Sequence, residues 1–240
     1  MNEYAGKLVA ITGVGRAGQV GETLAQRFAQ LGATVALLDR DEPALQERAA
    51  DLERAGHKVI AVTTDLTNPD AVGKAAAQIT NSGKTPLNAL IAAAGGFAMS
   101  GPVAESDFAA WQKQLQISLI TAYLSTRAFL PSLRAARGSI VYFASAAALP
   151  GGGAKTANMS AYAVAKAGVL ALMQAVSQEE RSNGVRANAL APTSIRTAAN
   201  VSAMGADQAY VERESVADAV QWLSSDGSRD ITGQVIRLGA

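Results

Sequence analysis

The chain contains no cysteine, which excludes disulfides, thiolate nucleophiles and thiolate metal sites. Its one histidine, His57, lies in Ala55-Gly56-His57-Lys58 between a helical and an extended segment, where it reads as an exposed loop residue; no metal-ligand spacing is visible. Charge of one sign is also scarce. Lys and Arg exceed Asp and Glu by a formal net charge of only +1, and no stretch concentrates the basic residues, so neither a nucleic-acid nor an anionic-membrane partner is indicated. Long apolar runs are few. The uncharged run 85–104 has the length of a membrane span, but Pro86, Asn88, Gly95, Gly96, Gly101 and Pro102 break it into a buried strand and a loop. Residues 1–7 are polar and lead into an apolar run, 8–12, too short for a signal-peptide core, so a cytoplasmic location is expected. The partners implied are small molecules.

What is present fits one α/β domain of 240 residues, 49% hydrophobic and only 5% aromatic, with the abundant Ala and Gly of closely packed layers. Short apolar runs at 8–12, 34–38, 59–63, 89–93, 139–144, 185–190 and 234–238 read as strands. Helical spacing occupies 21–31, 43–55, 69–79, 105–130, 160–181 and 215–224, several stretches opening on Asn, Asp or Ser. The alternation predicts seven strands in a parallel sheet covered on both faces by six helices. Pro131 should end or kink the fourth helix, and Gly138 restarts the chain before the fifth strand.

After the first strand comes Thr12-Gly13-Val14-Gly15-Arg16-Ala17-Gly18-Gln19-Val20-Gly21, opening into a helix. Glycines there allow a tight turn and let backbone N–H groups approach a pyrophosphate, whose charge the helix N-terminus favours. Gly13, Gly15, Gly18, Gln19 and Val20 are therefore candidate cofactor contacts. Asp39, ending the second strand, can accept from ribose hydroxyls and repels a ribose phosphate, which favours NAD. The adjacent Arg40 keeps NADP open as the alternative, since its guanidinium could pair with a 2′-phosphate.

Further on, Tyr162 and Lys166 stand four residues apart, on one face of a helix, downstream of Ser145. A cation near a phenol favours phenolate. Bringing a phenol from its usual pKa of ~10 close to neutrality takes about three pH units, or roughly 4 kcal/mol. Together with the glycine turn and Ser145 upstream, this Tyr162/Lys166 pair suggests a carbonyl or alcohol oxidoreductase.

Taken in order, these motifs resemble the short-chain dehydrogenase/reductase family over essentially the whole chain: Thr12-Gly13, Asp65-Leu66, Ala92-Ala93-Ala94-Gly95, Ser118, Ser145, Tyr162/Lys166 and Pro192-Thr193. The resemblance implies a Rossmann-like, doubly wound three-layer sandwich. It implies that Tyr162 is the general acid of reduction and the base of oxidation. Ser145 would hold the substrate oxygen, and Lys166 would bind the nicotinamide ribose and lower the Tyr162 pKa. Asp65 would bond the adenine amino group and Leu66 would hold the ring. Ala93, Ala94, Gly95, Pro192, Thr193 and Ile195 complete the implied cofactor set, and residues 193–213 form the implied substrate lid. A homodimer or homotetramer follows by the same analogy, through paired helices.

The chain departs from the family pattern in several places. Its glycine turn is about two residues longer, with Gln19 where a glycine is expected. Ala92 and Ala93 replace two asparagines. Thr193 replaces a glycine near the nicotinamide, its hydroxyl still able to reach the carboxamide. Ser118 replaces an Asn that helps hold a water linking Lys to solvent, and the shorter hydroxyl can still donate and accept. The lid, poor in large side chains, is expected to close on binding. Gly151-Gly152-Gly153 and Lys155 lengthen the loop before Tyr162 and either border the pocket or form a surface excursion. The substrate expected is a secondary alcohol or ketone of 3-oxoacyl, sugar-like or steroid-like type. The alternatives are a nicotinamide-binding sensor without turnover, and epimerisation or elimination that consumes no cofactor.

Overall fold

Each apolar run read as a strand forms one in the computed structural model, which describes residues 3–150 and 156–239. The strands are β1 (Leu8–Thr12), β2 (Thr34–Asp39), β3 (Val59–Thr63), β4 (Ala89–Ala92), β5 (Ser139–Phe143), β6 (Arg186–Pro192) and β7 (Val235–Leu238). All pair in parallel, in the order β3-β2-β1-β4-β5-β6-β7. The sequence of strands reverses between β1 and β4, and a crevice therefore opens beyond their carboxyl ends, where ligands of such sheets bind.

Side chains alternate between two cores, as the pleat requires. Val9, Ile11, Val35, Leu37, Ile91 and Val141 face α1 (Val20–Gln30), α2 (Glu42–Arg54) and α8 (Arg213–Ser224). Ala10, Ala36, Leu90, Ile140 and Tyr142 face α3 (Pro69–Ile79), α5 (Thr121–Ala136) and α6 (Ser160–Glu179). Fully buried Leu or Phe side chains contribute ~1.5–3 kcal/mol each, so the three-layer sandwich is held chiefly by these two faces. Side-chain caps fix where helices begin: Asn68 accepts from the Asp70 and Ala71 amides, and Asp41 from Ala44.

The fourth helix differs from its expected form. It starts at Phe108, not at residue 105, because Asp107 caps it through the Ala110 amide at 2.7 Å, after a short 3-10 turn at Val103–Glu105. It then divides into α4 (Phe108–Leu115), a π-helical turn at Gln116–Ile120, and α5. Nor does Pro131 end it: α5 continues to Ala136 and stops at Arg137, in the left-handed region. A mid-helix proline costs ~3 kcal/mol or more. The turn beyond it is anchored to the sheet, with Leu133 fully buried and the Ser132 carbonyl accepting from the Leu87 amide at 3.1 Å. One helix was not expected at all, α7 (Ala198–Met204), within segment 193–213, making eight α-helices among the described residues.

Among the described residues, α6 is the one helix apolar and long enough to cross a membrane by composition. Ala161, Ala165, Val169, Met173 and Val176 are instead buried on it, the last three within the core of one sheet face, so it is a sheet-covering helix.

Candidate active site

The crevice is built first by the glycine turn. Thr12 Oγ1 accepts from the Ala94 amide at 3.0 Å, joining the end of β1 to the loop after β4. Gly13 has φ +80°, and a Cβ there would stand 2.8 Å from Ala94 Cα. Gly21 is more constrained still: its Cβ would lie 2.1 Å from the Gly13 carbonyl oxygen. Only glycine permits this approach, which folds the turn back on the first turn of α1. Gln19 is the N-cap residue of α1 and makes no side-chain cap, and Val20 is the first helical residue. The N-terminal amides of the helix are thus not taken by a capping side chain. A tight glycine turn leading into an uncapped helix N-terminus beneath the sheet crossover fits a dinucleotide pyrophosphate.

Asp39 faces this turn. One carboxylate oxygen accepts from the Gly15 amide at 2.9 Å and the other from Asp41 at 3.1 Å, so the acid is held where an adenosine ribose would reach it. Arg40 is exposed beside it. Asp65, exposed after β3, accepts twice from Thr67; these bonds, more than the charge of Arg40, hold its carboxyl below the usual range. Leu66 is buried behind it.

On the other side of the crevice, β5 ends at Phe143 and Ser145 caps a short 3-10 turn at Ala146–Ala148, accepting from the Ala147 amide at 3.2 Å. Helix α6 brings up Tyr162 and Lys166. The Lys166 ammonium is buried, donates to the Phe143 carbonyl at 2.7 Å, and lies 5.9 Å from the Tyr162 ring centroid. The three residues of the expected constellation are therefore brought together.

Burial pushes the Tyr162 phenol above its ordinary value, and only the neighbouring Ser145 hydroxyl works the other way. In the protein without cofactor, burial prevails at this phenol. Burial equally opposes the charge on Lys166, whose pKa is pushed down to about 8.

Ser118, the helix position noted above, is buried in the π-helical turn. Pro192 ends β6, and Thr193 continues the chain with its amide bonded to the Leu238 carbonyl at 2.9 Å and its hydroxyl packed against Gly239. Ile195 bridges to Val211, closing segment 193–213 at its base, while the Tyr210 hydroxyl donates to the Gly205 carbonyl at 2.7 Å. Segment 193–213 also reaches the glycine turn: the Ala198 amide donates to the Gly18 carbonyl at 3.0 Å. Gly151, Gly152, Gly153 and Lys155 lie outside the described residues. His57 is half-buried in its loop, not exposed, and lies far along the sheet edge beside β3.

Three contributors were not read from the sequence. Glu22 accepts from the Gly18 amide at 2.7 Å and pairs with Arg48 at 3.4 Å, bracing the long glycine turn from within α1. Phe97 packs edge-on against Tyr162, centroids 5.0 Å apart. Gln114 bonds to Ser118, a spacing of four residues that was legible in principle.

Comparison with known proteins agrees with this architecture. The family model described as short chain dehydrogenase matches residues 7–207. The chain belongs to the short-chain dehydrogenase/reductase family. It is thus an oxidoreductase acting on CH–OH groups, of a family that uses a nicotinamide dinucleotide and small-molecule substrates. As a family member it is 32% identical to cis-4-hydroxycyclohexanecarboxylate dehydrogenase of Sinomonas cyclohexanicum, over 98% of this chain and 96% of the relative. It is also 32% identical to a hydroxy-methyl-oxo-hexahydroindene-carboxyl-CoA reductase of Mycobacterium tuberculosis, over 97% and 92% of the two chains. Among solved structures, a short chain dehydrogenase from Mycobacterium smegmatis superposes with a TM-score of 0.86 at 30% identity, covering 100% of this chain and 94% of that one. A proposed NAD(P)-dependent gluconate 5-dehydrogenase from Beutenbergia cavernae, recorded with NADP at low occupancy, gives a TM-score of 0.86 at 27% identity over 98% and 96%.

Proposed function

We propose that this short-chain dehydrogenase/reductase interconverts a secondary alcohol and a ketone at Ser145, Tyr162 and Lys166, using NAD(H) in preference to NADP(H). The observation that carries the reading is the juxtaposition of the Ser145 hydroxyl and the Tyr162 phenol beside a buried Lys166 ammonium. When bound, the nicotinamide supplies or accepts the hydride. Two hydroxyls then serve the substrate oxygen: Ser145 donates a hydrogen bond as negative charge develops there, and Tyr162 Oη delivers its proton. In oxidation the same oxygen takes the proton back. Lys166, anchored by the Phe143 carbonyl, fixes the cation on the Tyr162 side of the crevice.

The cofactor preference rests on Asp39, whose carboxylate faces Gly15 and would repel a 2′-phosphate. Asp65, Leu66, Ala93, Ala94, Gly95, Thr193 and Ile195 complete the cofactor site in this reading. Phe97 and Met99, exposed on the loop after β4, give the substrate mouth an apolar wall, favouring a carbocyclic or acyl ketone over a sugar. The named substrates of the two relatives each carry a ring, while the Beutenbergia cavernae neighbour is named for gluconate, so the preference rests on Phe97 and Met99. A cytoplasmic homodimer or homotetramer completes the proposal.

The test is oxidation of NADH and NADPH by the purified protein against a carbonyl panel, with Tyr162→Phe in parallel. Loss of turnover with cofactor binding retained is the expected result. Undiminished turnover in Tyr162→Phe overturns the mechanism, and cofactor binding without any Tyr162-dependent reaction would make the protein a nicotinamide-binding sensor.

A further inference from the structure

Helix α4 runs into a π-helical turn exactly where it passes the buried end of the site, and Ser118 lies in that turn. Π-turns inside α-helices re-aim side chains and occur often at functional positions. One turn earlier, Gln114 is buried, only 3% exposed, and its carboxamide has two defined partners. Its Nε2 donates to the Gly96 carbonyl at 2.7 Å and to Ser118 Oγ at 2.9 Å. The Gly96 carbonyl can only accept, so it draws the amide nitrogen, not the amide oxygen, toward itself and toward Ser118, which therefore accepts.

That orientation constrains Ser118. Its oxygen accepts from Gln114, so its own O–H is left to donate elsewhere. What lies next to it is the space over Gly95. A Cβ at Gly95 would stand 3.4 Å from Lys166 Nζ, 3.6 Å from Ser118 Oγ and 3.9 Å from the Ile117 carbonyl oxygen. The absent side chain keeps one small polar space common to the ammonium, the hydroxyl and the carbonyl.

We propose that Gln114 is a positioning residue for the proton route, holding the Ser118 hydroxyl as a donor into the space it shares with Lys166. Gln114 touches no reacting atom. It compensates for the short serine side chain: a fixed carboxamide one turn away sets the direction of a hydroxyl that would otherwise rotate or bond back to its own helix. The same carboxamide ties the loop carrying Gly95 to α4, so the space and its lining move together. The inference rests on the reading of Tyr162 and Lys166 given above.

The first readout needs no turnover. In the 15N-labelled protein, both Gln114 carboxamide protons should be protected from solvent exchange, and Ser118→Ala should release one of them. Free exchange of both in the unmodified protein overturns the proposal. The second readout is kinetic. Positioned proton transfer contributes ~10²–10⁴-fold, so Gln114→Leu should lower kcat about tenfold with the KM for cofactor within about twofold. Ser118→Ala should cost a similar factor, and the double variant no more than either alone, because both break one unit. Ser118→Asn should restore activity to Gln114→Leu. Unchanged kcat in Gln114→Leu, or multiplicative losses in the double variant, overturns the proposal. Should Gln114→Leu not fold, Gln114→Glu keeps the volume while losing the amide donors, and carries the same expectation. Retained turnover in Tyr162→Phe would overturn the reading of the site while leaving the exchange result standing.

Discussion

Replacing Lys166 by Met removes a buried ammonium while leaving an unbranched apolar side chain in its place. The lysine is 6% exposed, and burial pushes its pKa from 10.5 down to about 8. An unfolded chain keeps that proton to pH ~10.4, whereas the folded protein releases it near 8. Between those values the unfolded state binds more protons, so stability rises with pH. At ~1.36 kcal/mol for each pH unit, the gain from about pH 7 to 9.5 is ~2 kcal/mol. Lys166→Met should lack it. The Phe143 carbonyl left without its donor costs the variant ~1–3 kcal/mol, but this offset does not depend on pH and leaves the slope untouched. Groups that titrate alike in both proteins cancel in the difference. The assay is urea unfolding of both cofactor-free proteins at several pH values across this range. Curves of stability against pH that run parallel within ~0.5 kcal/mol would refute the argument that burial sets the lysine's charge.

Gly21→Ala places a methyl against the Gly13 carbonyl and should cost about 1–3 kcal/mol of stability while weakening NADH binding; thermal unfolding and fluorescence titration check both, and an unperturbed variant would contradict the close approach. Asp39→Ser should move the NADPH-to-NADH preference by about tenfold toward NADPH, as the ratio of kcat/KM values, with an unchanged ratio counting against Asp39 as the selector. Phe97→Ala should raise KM for an apolar ketone about tenfold, in line with the ~1.5–3 kcal/mol from burying such a ring, and equal KM values would remove Phe97 from the substrate wall.

The sheet was legible because its strands carry both periodic and positional signals: runs such as Leu8–Thr12 are apolar throughout, as strands buried on two faces must be. Ser145, Tyr162 and Lys166 were legible from spacing and order. The missed features depend on contacts between distant parts of the chain. Nothing local in 116–120 distinguishes a π-turn from an α-turn; its form accompanies the Gln114 bonds to Ser118 and across to Gly96. The continuation past Pro131 depends on a bond from Leu87, 45 positions before Ser132, which no local pattern could announce. Helix α7 is short and has no buried residue, so it lacks the apolar stripe that periodicity detects, and its Thr197 cap on Asn200 was the one available sign. Burial of the Tyr162 phenol, which opposes its phenolate form, comes from tertiary packing and has no local sign in the sequence.

The bond from Ala198 to the Gly18 carbonyl links segment 193–213 directly to the glycine turn. For anyone recombining this chain with its relatives, that sets the unit of exchange. Segment 193–213 moved alone would leave behind the Gly18 carbonyl that its Ala198 amide binds, whereas segments 13–22 and 193–213 moved together keep that bond.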